Sequence, residues 1–292
     1  MQDEEYTKEP RRASSRAAMP ALYEEHLALG ARFEDGLVSG YANDDEIEQA
    51  GAVLADMSHV KLSLLSGNCA QDYAEATFAG KKLAVGECAF EAVLTGDGSV
   101  TSIPMLARTG NREYLCADAS PRAEILDAWL SFIKSASSEG YSPYASLGLE
   151  EVTGSHVVLG LCGTKAKDVL LDYTSAASLP RPGHVGSCNL DRIPCVVVCL
   201  PTKGAPCFVV FVPPQVGATL WRSLLSFTFV CPASPKAFLA RICKDIELLD
   251  ILGSTDTIQI SKSNLLGNGL VRSQDDYVGS HGLAQRGEVP KP

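Results

Sequence analysis

The chain has 292 residues, 46% of them hydrophobic, which is enough for a sizeable core and makes two modest domains the starting expectation. Its 25 basic and 35 acidic residues give a formal charge of −10 without a basic stripe, which argues against nucleic acid as a partner. No run approaches eighteen uninterrupted apolar residues, and residues 1–20 lack the apolar core of a signal peptide. A cytoplasmic protein with no membrane partner is therefore expected, with a disordered arm over residues 1–20.

Residues 21–33 place Leu22, His26, Leu29 and Phe33 on one face of a predicted helix, where His26 reads as a packed side chain rather than a ligand. A polar, glycine-containing stretch from Glu34 to Asp45 precedes a predicted short acidic helix over 46–54. Asp56-Met57-Ser58-His59 then leads into a strand over 60–65. An acid, a hydroxyl and an imidazole in succession suggest a triad, but consecutive residues cannot face one another as a triad requires. The motif reads instead as a hydrogen-bonded turn that fixes the strand after it.

Asn68 is the expected cap of a helix over 68–78, followed by strands over 88–95, 102–108 and 113–119, with a turn at Gly96-Asp97-Gly98. Ser120-Pro121, a cap followed by proline at the first helical position, opens a helix with Ile125, Leu126, Trp129, Leu130 and Ile133 on one apolar face. The second half repeats this order: strand 156–163, helix 164–173, strands 194–201 and 206–213, and a proline-started helix over 214–225. A further helix over 234–249 has Ser234 as cap, and Asp256 to Ser263 alternates as a strand. The pattern is α+β, two related units of the split β-α-β type over 21–150 and 151–270, with a polar, disordered tail over 271–292.

Ten cysteines, without a C-x-x-C and sited mostly in apolar runs (Cys116, Cys162, Cys199, Cys207), read as small core hydrophobes. Cys188, Cys195, Cys199 and Cys207, even with His184 nearby, match no zinc spacing, so no metal is expected.

The order of motifs resembles the folate-binding family of the glycine cleavage T-protein, the aminomethyltransferases. Residues 22–33 resemble its opening helix, Leu-Tyr-x-x-His-x-x-Leu-Gly-Ala-x-Phe, and Asp56-Met57-Ser58-His59-Val60 its Asp-Val-Ser-His-Met turn. Gly163-x-Lys165-Ala166 resembles its Gly-Pro-Lys-Ala helix start, Phe211-Val212-Pro213 with Trp221 and Leu224 its Phe-Val-Pro and Leu-Trp pair, and Asp256-Thr257 its Asp-Thr strand. The likeness runs from about residue 21 to 270. It implies a body surrounding a tetrahydrofolate cleft, with a carboxylate orienting one-carbon exchange and a carrier protein presenting the aminomethyl group. A carboxylate suits a transition state that develops positive charge.

The family's two acid positions fall on Ser102 and Ile103, so the resemblance assigns no catalytic acid here. Phe90 stands where the family has Tyr, keeping a ring that can stack but losing its hydroxyl, and Thr95 replaces an Asn. Thr255 and Ser261 replace an Arg and a Glu in the later strand, and Pro104 places its strand at an edge or bulge. Phe90, Thr95, Ser102, Arg108 and Asp118 are the candidate cleft residues. Arg108, Asp118 and Ser120 could hold an anionic ligand tail, although Ser120 reads first as a helix cap. The chain also ends where the family continues into a C-terminal β-barrel domain, so that domain is expected to be absent.

Losing several hydrogen-bonding partners together points to a different ligand or to none. The leading expectation is a divergent aminomethyltransferase-like protein without the standard activity and with weak or lost tetrahydrofolate binding. The alternative is an active tetrahydrofolate-dependent transferase of methyl or aminomethyl groups, with an altered donor or a carrier or corrinoid partner subunit. A hydrolase built on His59, His156 or His184 with a nearby Cys or Ser lacks any nucleophile elbow or triad spacing.

Overall fold

The structure is a computed structural model that describes residues 21–42, 47, 49–244 and 257–286. The arm over 1–20, Asn43 to Glu46, the end of the 234–249 helix, Thr255, Asp256 and the last six residues lie outside the described residues.

The elements in chain order are α1 (Tyr23–Ala28), β1 (Arg32–Glu34), β2 (Leu37–Gly40), β3 (Ala52–Asp56), β4 (Lys61–Ser66) and α2 (Ala70–Thr77). Next come β5 (Cys88–Phe90), β6 (Val93–Leu94), β7 (Val100–Ser102), β8 (Met105–Gly110), β9 (Glu113–Asp118), α3 (Ala123–Lys134) and β10 (Gly148–Glu151). The rest are β11 (Val157–Cys162), α4 (Ala166–Leu171), β12 (His184–Leu190), β13 (Ile193–Cys199), β14 (Cys207–Val212), α5 (Pro214–Leu225), β15 (Val230–Ala233), α6 (Pro235–Cys243), α7 (Lys262–Gly267) and α8 (Ser280–Gln285).

Two sheets carry this α+β body, one in the order β10-β4-β9-β8-β5 and one in the order β12-β13-β14-β11-β3-β15. All their pairings are antiparallel except β3 with β15. Side chains alternate across each sheet, so every inner strand feeds two cores. Ala52, Leu54, Leu159 and Leu161 pack outward against α4 and α5, with Trp221 fully buried among them. Val53, Ala55, Val158 and Phe211 face inward, where they meet Leu62, Met105 and Ala107 of the other sheet. Leu65, Leu106, Tyr114 and Cys116 face outward again beneath α2 and α3. The layering is thus helices, sheet, sheet, helices.

All six residues of β11 are buried, as expected of a strand covered on both faces. Gly160 on this strand lets α6 close on the sheet, because a Cβ there would run into the Phe238 ring. Gly160→Ala is expected to cost about 1–3 kcal/mol by overpacking, read as a shift in the urea midpoint. A variant as stable as the parent would show that the ring moves aside freely.

Several expectations need correction. The first helix ends at Ala28, because Gly30 adopts φ +69°, and Phe33 lies on β1. Ala52 to Leu54 are strand rather than helix; both faces of β3 are covered, so the alternation that marks a strand is missing from its sequence. Asn68 does not cap α2, which starts behind Cys69 with no side-chain cap, and Ile125 on α3 is 40% exposed. Strand β12 was not foreseen. Ile258 forms only an isolated bridge to Val100, after which Ser261 caps α7 instead of continuing a strand.

The sheets do not part cleanly at 150/151, since β3 lies in the second sheet among strands that follow residue 151. The stretch from 271 onward, expected to be disordered, is packed as far as it is described. Leu270, Val271, Tyr277 and Leu283 are buried against Leu94, Val100 and Ile103. Arg272 supplies the polar part, donating to the carbonyls of Glu75, Phe78 and Gly80. Seven cysteines, including Cys116, Cys162, Cys199 and Cys207, are buried, and none of the ten forms a disulfide. No helix among the described residues is long and apolar enough to cross a membrane.

Candidate functional site

Where the two sheets face each other, the interior opens into a cavity of about 690 Å³, within the usual range for small-molecule sites. Phe90 from β5, Met105 from β8, Phe211 from β14 and Phe238 from α6 make its wall largely apolar. Its polar positions are few. Asp118 and Ser120 stand at the end of β9, His59 at the start of β4, and Glu34, Asp35 and Lys236 at the exposed rim.

The two positions where the resemblance leads us to expect an acid part company here. Ile103 lines the cavity as an apolar wall, 2% exposed. Ser102 lies just behind the wall, fully buried, and donates its hydroxyl to Asp118 Oδ2 at 2.6 Å. Asp118 Oδ1 accepts from the Ser120 amide at 2.8 Å. Burial pushes the Asp118 carboxyl above the usual range, and the hydrogen bonds from Ser102 and Ser120 oppose this without cancelling it. Ser120 Oγ in turn accepts from the Arg122 amide at 3.2 Å within the turn before α3, but contrary to expectation it does not cap the helix, which starts at Ala123 behind Arg122 with no side-chain cap.

Of the five candidate cleft residues, Phe90 and Asp118 line the cavity and Ser102 touches it through Asp118. Thr95 and Arg108 are elsewhere. Thr95 belongs to the turn before Ser99, donating to Asp97 and to the Ser99 carbonyl, under Arg286, which reaches Asp97 and Ser99. Arg108 points out of the opposite face of β8. It donates to the Leu83 carbonyl at 2.9 Å and to Gln71 at 2.8 Å, over the ring of Tyr114.

Asp56 and Ser58 fasten the turn between β3 and β4. Asp56 accepts from the Ser58 amide at 2.9 Å and pairs with His26 Nε2 at 3.0 Å, while Ser58 Oγ accepts from the Val158 amide at 3.1 Å. His59 presents its ring to the cavity, with Nδ1 buried and lacking a hydrogen-bond partner. Burial lowers its pKa against a weaker pull from Asp56, which favours a neutral imidazole. His156 pairs with its neighbour Ser155 on the surface, and His184 Nε2 is occupied by Arg181. Neither has a hydrogen bond to a buried nucleophile among the described residues.

Phe211, Phe238 and Met105 were not foreseen as cleft residues. Their apolar spacing marks burial, but it does not separate a side chain that lines a cavity from one that fills a core.

The sequence model of the GCVT N-terminal domain matches residues 14–229. Among solved structures, the chain resembles the glycine cleavage system aminomethyltransferase T from Bartonella henselae, with a TM-score of 0.70 and 19% identity over 92% of this chain and 75% of that one. The heterotetrameric sarcosine oxidase from Corynebacterium sp. U-96, in complex with pyrrole 2-carboxylate, matches at a TM-score of 0.43 and 17% identity, over 72% of this chain and 93% of that one. No curated protein matches.

Proposed function

The chain belongs to the GCVT N-terminal domain family, and from that premise we propose a divergent, aminomethyltransferase-like protein whose cleft takes a folate-type ligand but does not perform the standard aminomethyl transfer. The observation that carries this reading is the pair Ser102 and Ile103, a hydroxyl turned toward Asp118 and an aliphatic wall at the positions where the family places its acid. Neither side chain can stabilise the positive charge that one-carbon exchange develops.

The cavity fits a reduced folate in size and in its apolar walls, with Phe90 able to stack on a flat ring. The fit is incomplete in hydrogen bonding, because Thr95 and Arg108 are turned away from it. When bound, a tetrahydrofolate would supply the one-carbon acceptor. This chain's own residues would enclose its ring and exclude water, with Lys236 as a rim cation for an anionic tail. The alternative, an active transferase served by a carrier or corrinoid partner subunit, requires turnover.

Calorimetric titration with tetrahydrofolate, joined to an ammonia-release assay on an aminomethylated lipoyl carrier, separates the two. The expected result is saturable binding without turnover; a flat titration, or ammonia release above the uncatalysed rate, would overturn the proposal. Ser102→Asp alone would set two carboxylates against each other, so that one would stay protonated. The double variant Ser102→Asp with Asp118→Asn is expected to tighten tetrahydrofolate binding about tenfold, the effect of one restored buried hydrogen bond.

A further inference from the structure

Resting on the reading of the cavity as a ligand site, we propose that Asp118 is a specificity-determining carboxylate that selects a flat ring carrying a positively charged nitrogen. The acid absent from the end of β7 is present at the end of the neighbouring β9, held in place by the very serine that occupies the old position.

Three observations carry this. Asp118 is 5% exposed and belongs to the wall of a chamber that is otherwise mostly apolar. Its two oxygens take the Ser102 hydroxyl and the Ser120 amide from behind, with the Ser120 hydroxyl as a further donor, while an ionised carboxylate accepts about four. Acceptor capacity therefore remains on the cavity side. Placing a carboxylate in such a chamber is costly unless a partner compensates it. Arg122, behind the wall, tempers the charge in part, and burial still holds the carboxyl above its usual range. Of the other titratable groups of the lining, His59 is favoured neutral by burial, and Glu34, Asp35 and Lys236 are exposed at the rim, where salt screens them.

A purely structural account would make Asp118 an acceptor for the Ser120 amide. Asparagine would serve that role equally well, which makes Asp118→Asn a clean test: the turn keeps its acceptor and the cavity loses its charge.

The test compares one ring in three charge states, benzamidinium, benzamide and benzoate, by ligand-observed NMR in about 0.5 M salt, which shortens the screening length to a few ångströms. Wild type is expected to prefer benzamidinium over benzamide at least about tenfold and to reject benzoate, whereas Asp118→Asn brings cation and neutral ring within about twofold. An unchanged preference in the variant, or a wild type that binds benzamide as tightly as benzamidinium, would overturn the assignment. Should the variant fail to fold, wild type suffices. Benzamidinium affinity must rise with pH through a titration above the normal carboxylate range while benzamide stays flat, and the rise must persist in His59→Gln, which removes the other titratable group of the wall; a flat cation profile, or one that His59→Gln abolishes, would count against the proposal. Tetrahydrofolate titrated alongside separates the two claims. Folate binding with no charge preference ends this proposal and leaves the cleft reading intact; charge preference without folate binding supports this one and ends the folate reading.

Discussion

Asp56→Ala is expected to cost about 2–4 kcal/mol of folding stability, from the buried imidazole nitrogen left unpaired and the hydrogen bonds lost in the turn. Asp56 closes β3 and holds three donors, His26 Nε2 at 3.0 Å, the Ser58 amide at 2.9 Å and the Ser58 hydroxyl. His26 is 2% exposed, bonded on its other nitrogen to the Tyr41 hydroxyl at 2.8 Å and set edge-on against Trp221. The alanine variant therefore strands an imidazole nitrogen in the interior and frees the turn that Ser58 ties to β11. Burial alone would raise the Asp56 carboxyl, but the bonds from His26 and Ser58 outweigh it and hold the group below its usual range. A depressed folded-state pKa contributes stability above the unfolded value, and that contribution is lost as pH falls through the folded one. Urea unfolding at pH 7 reads the effect directly, and a loss under about 1 kcal/mol would show that the network is dispensable.

Glu91→Gln is expected to remove a fall in stability between about pH 4.5 and 8. Glu91 is 1% exposed and Oε1 has no hydrogen-bond partner. Burial pushes its carboxyl up to about 8, against smaller opposing effects of Arg272, the Gly80 amide and Lys81. The sign follows from proton counts. The unfolded chain releases this proton near the ordinary glutamate value while the folded chain keeps it, so stability declines as pH rises through the window. The slope for one such group approaches about 1.4 kcal/mol per pH unit, several kcal/mol in all. Glutamine is neutral throughout, so its stability profile should lack this component, and thermal midpoints of both proteins from pH 5 to 8.5 check it. Parallel profiles would mean that Glu91 ionises without difficulty in the folded chain.

What could be read from the chain divides along physical lines. Local signals succeeded: Ser234 caps α6 by accepting from the Ala237 amide, and the unbroken apolar run of β11 is a strand buried on both faces. Of the positions the resemblance nominated, Phe90 and Ile103 line the cavity and Ser102 lies behind its wall. Nearness in sequence failed for Arg108, and strand parity explains why. Met105 and Ala107 face the core between the sheets, Leu106 faces α2 and α3, and Arg108 shares the parity of Leu106. Long-range order left no local trace. Arg272 is held by carbonyls nearly two hundred residues earlier in the chain, and no composition rule foresees that in a polar tail.

The pairing of β3 with β15 sets Ala52–Ala55 beside Val230–Ala233 in a parallel register. Contacts so distant along the chain must wait for most of the polypeptide to exist, and they slow folding because loop closure precedes any gain from pairing. During synthesis β3 therefore stays without one neighbour until the far end of the domain has emerged. The cavity, bounded by both sheets, is consequently a late product of assembly.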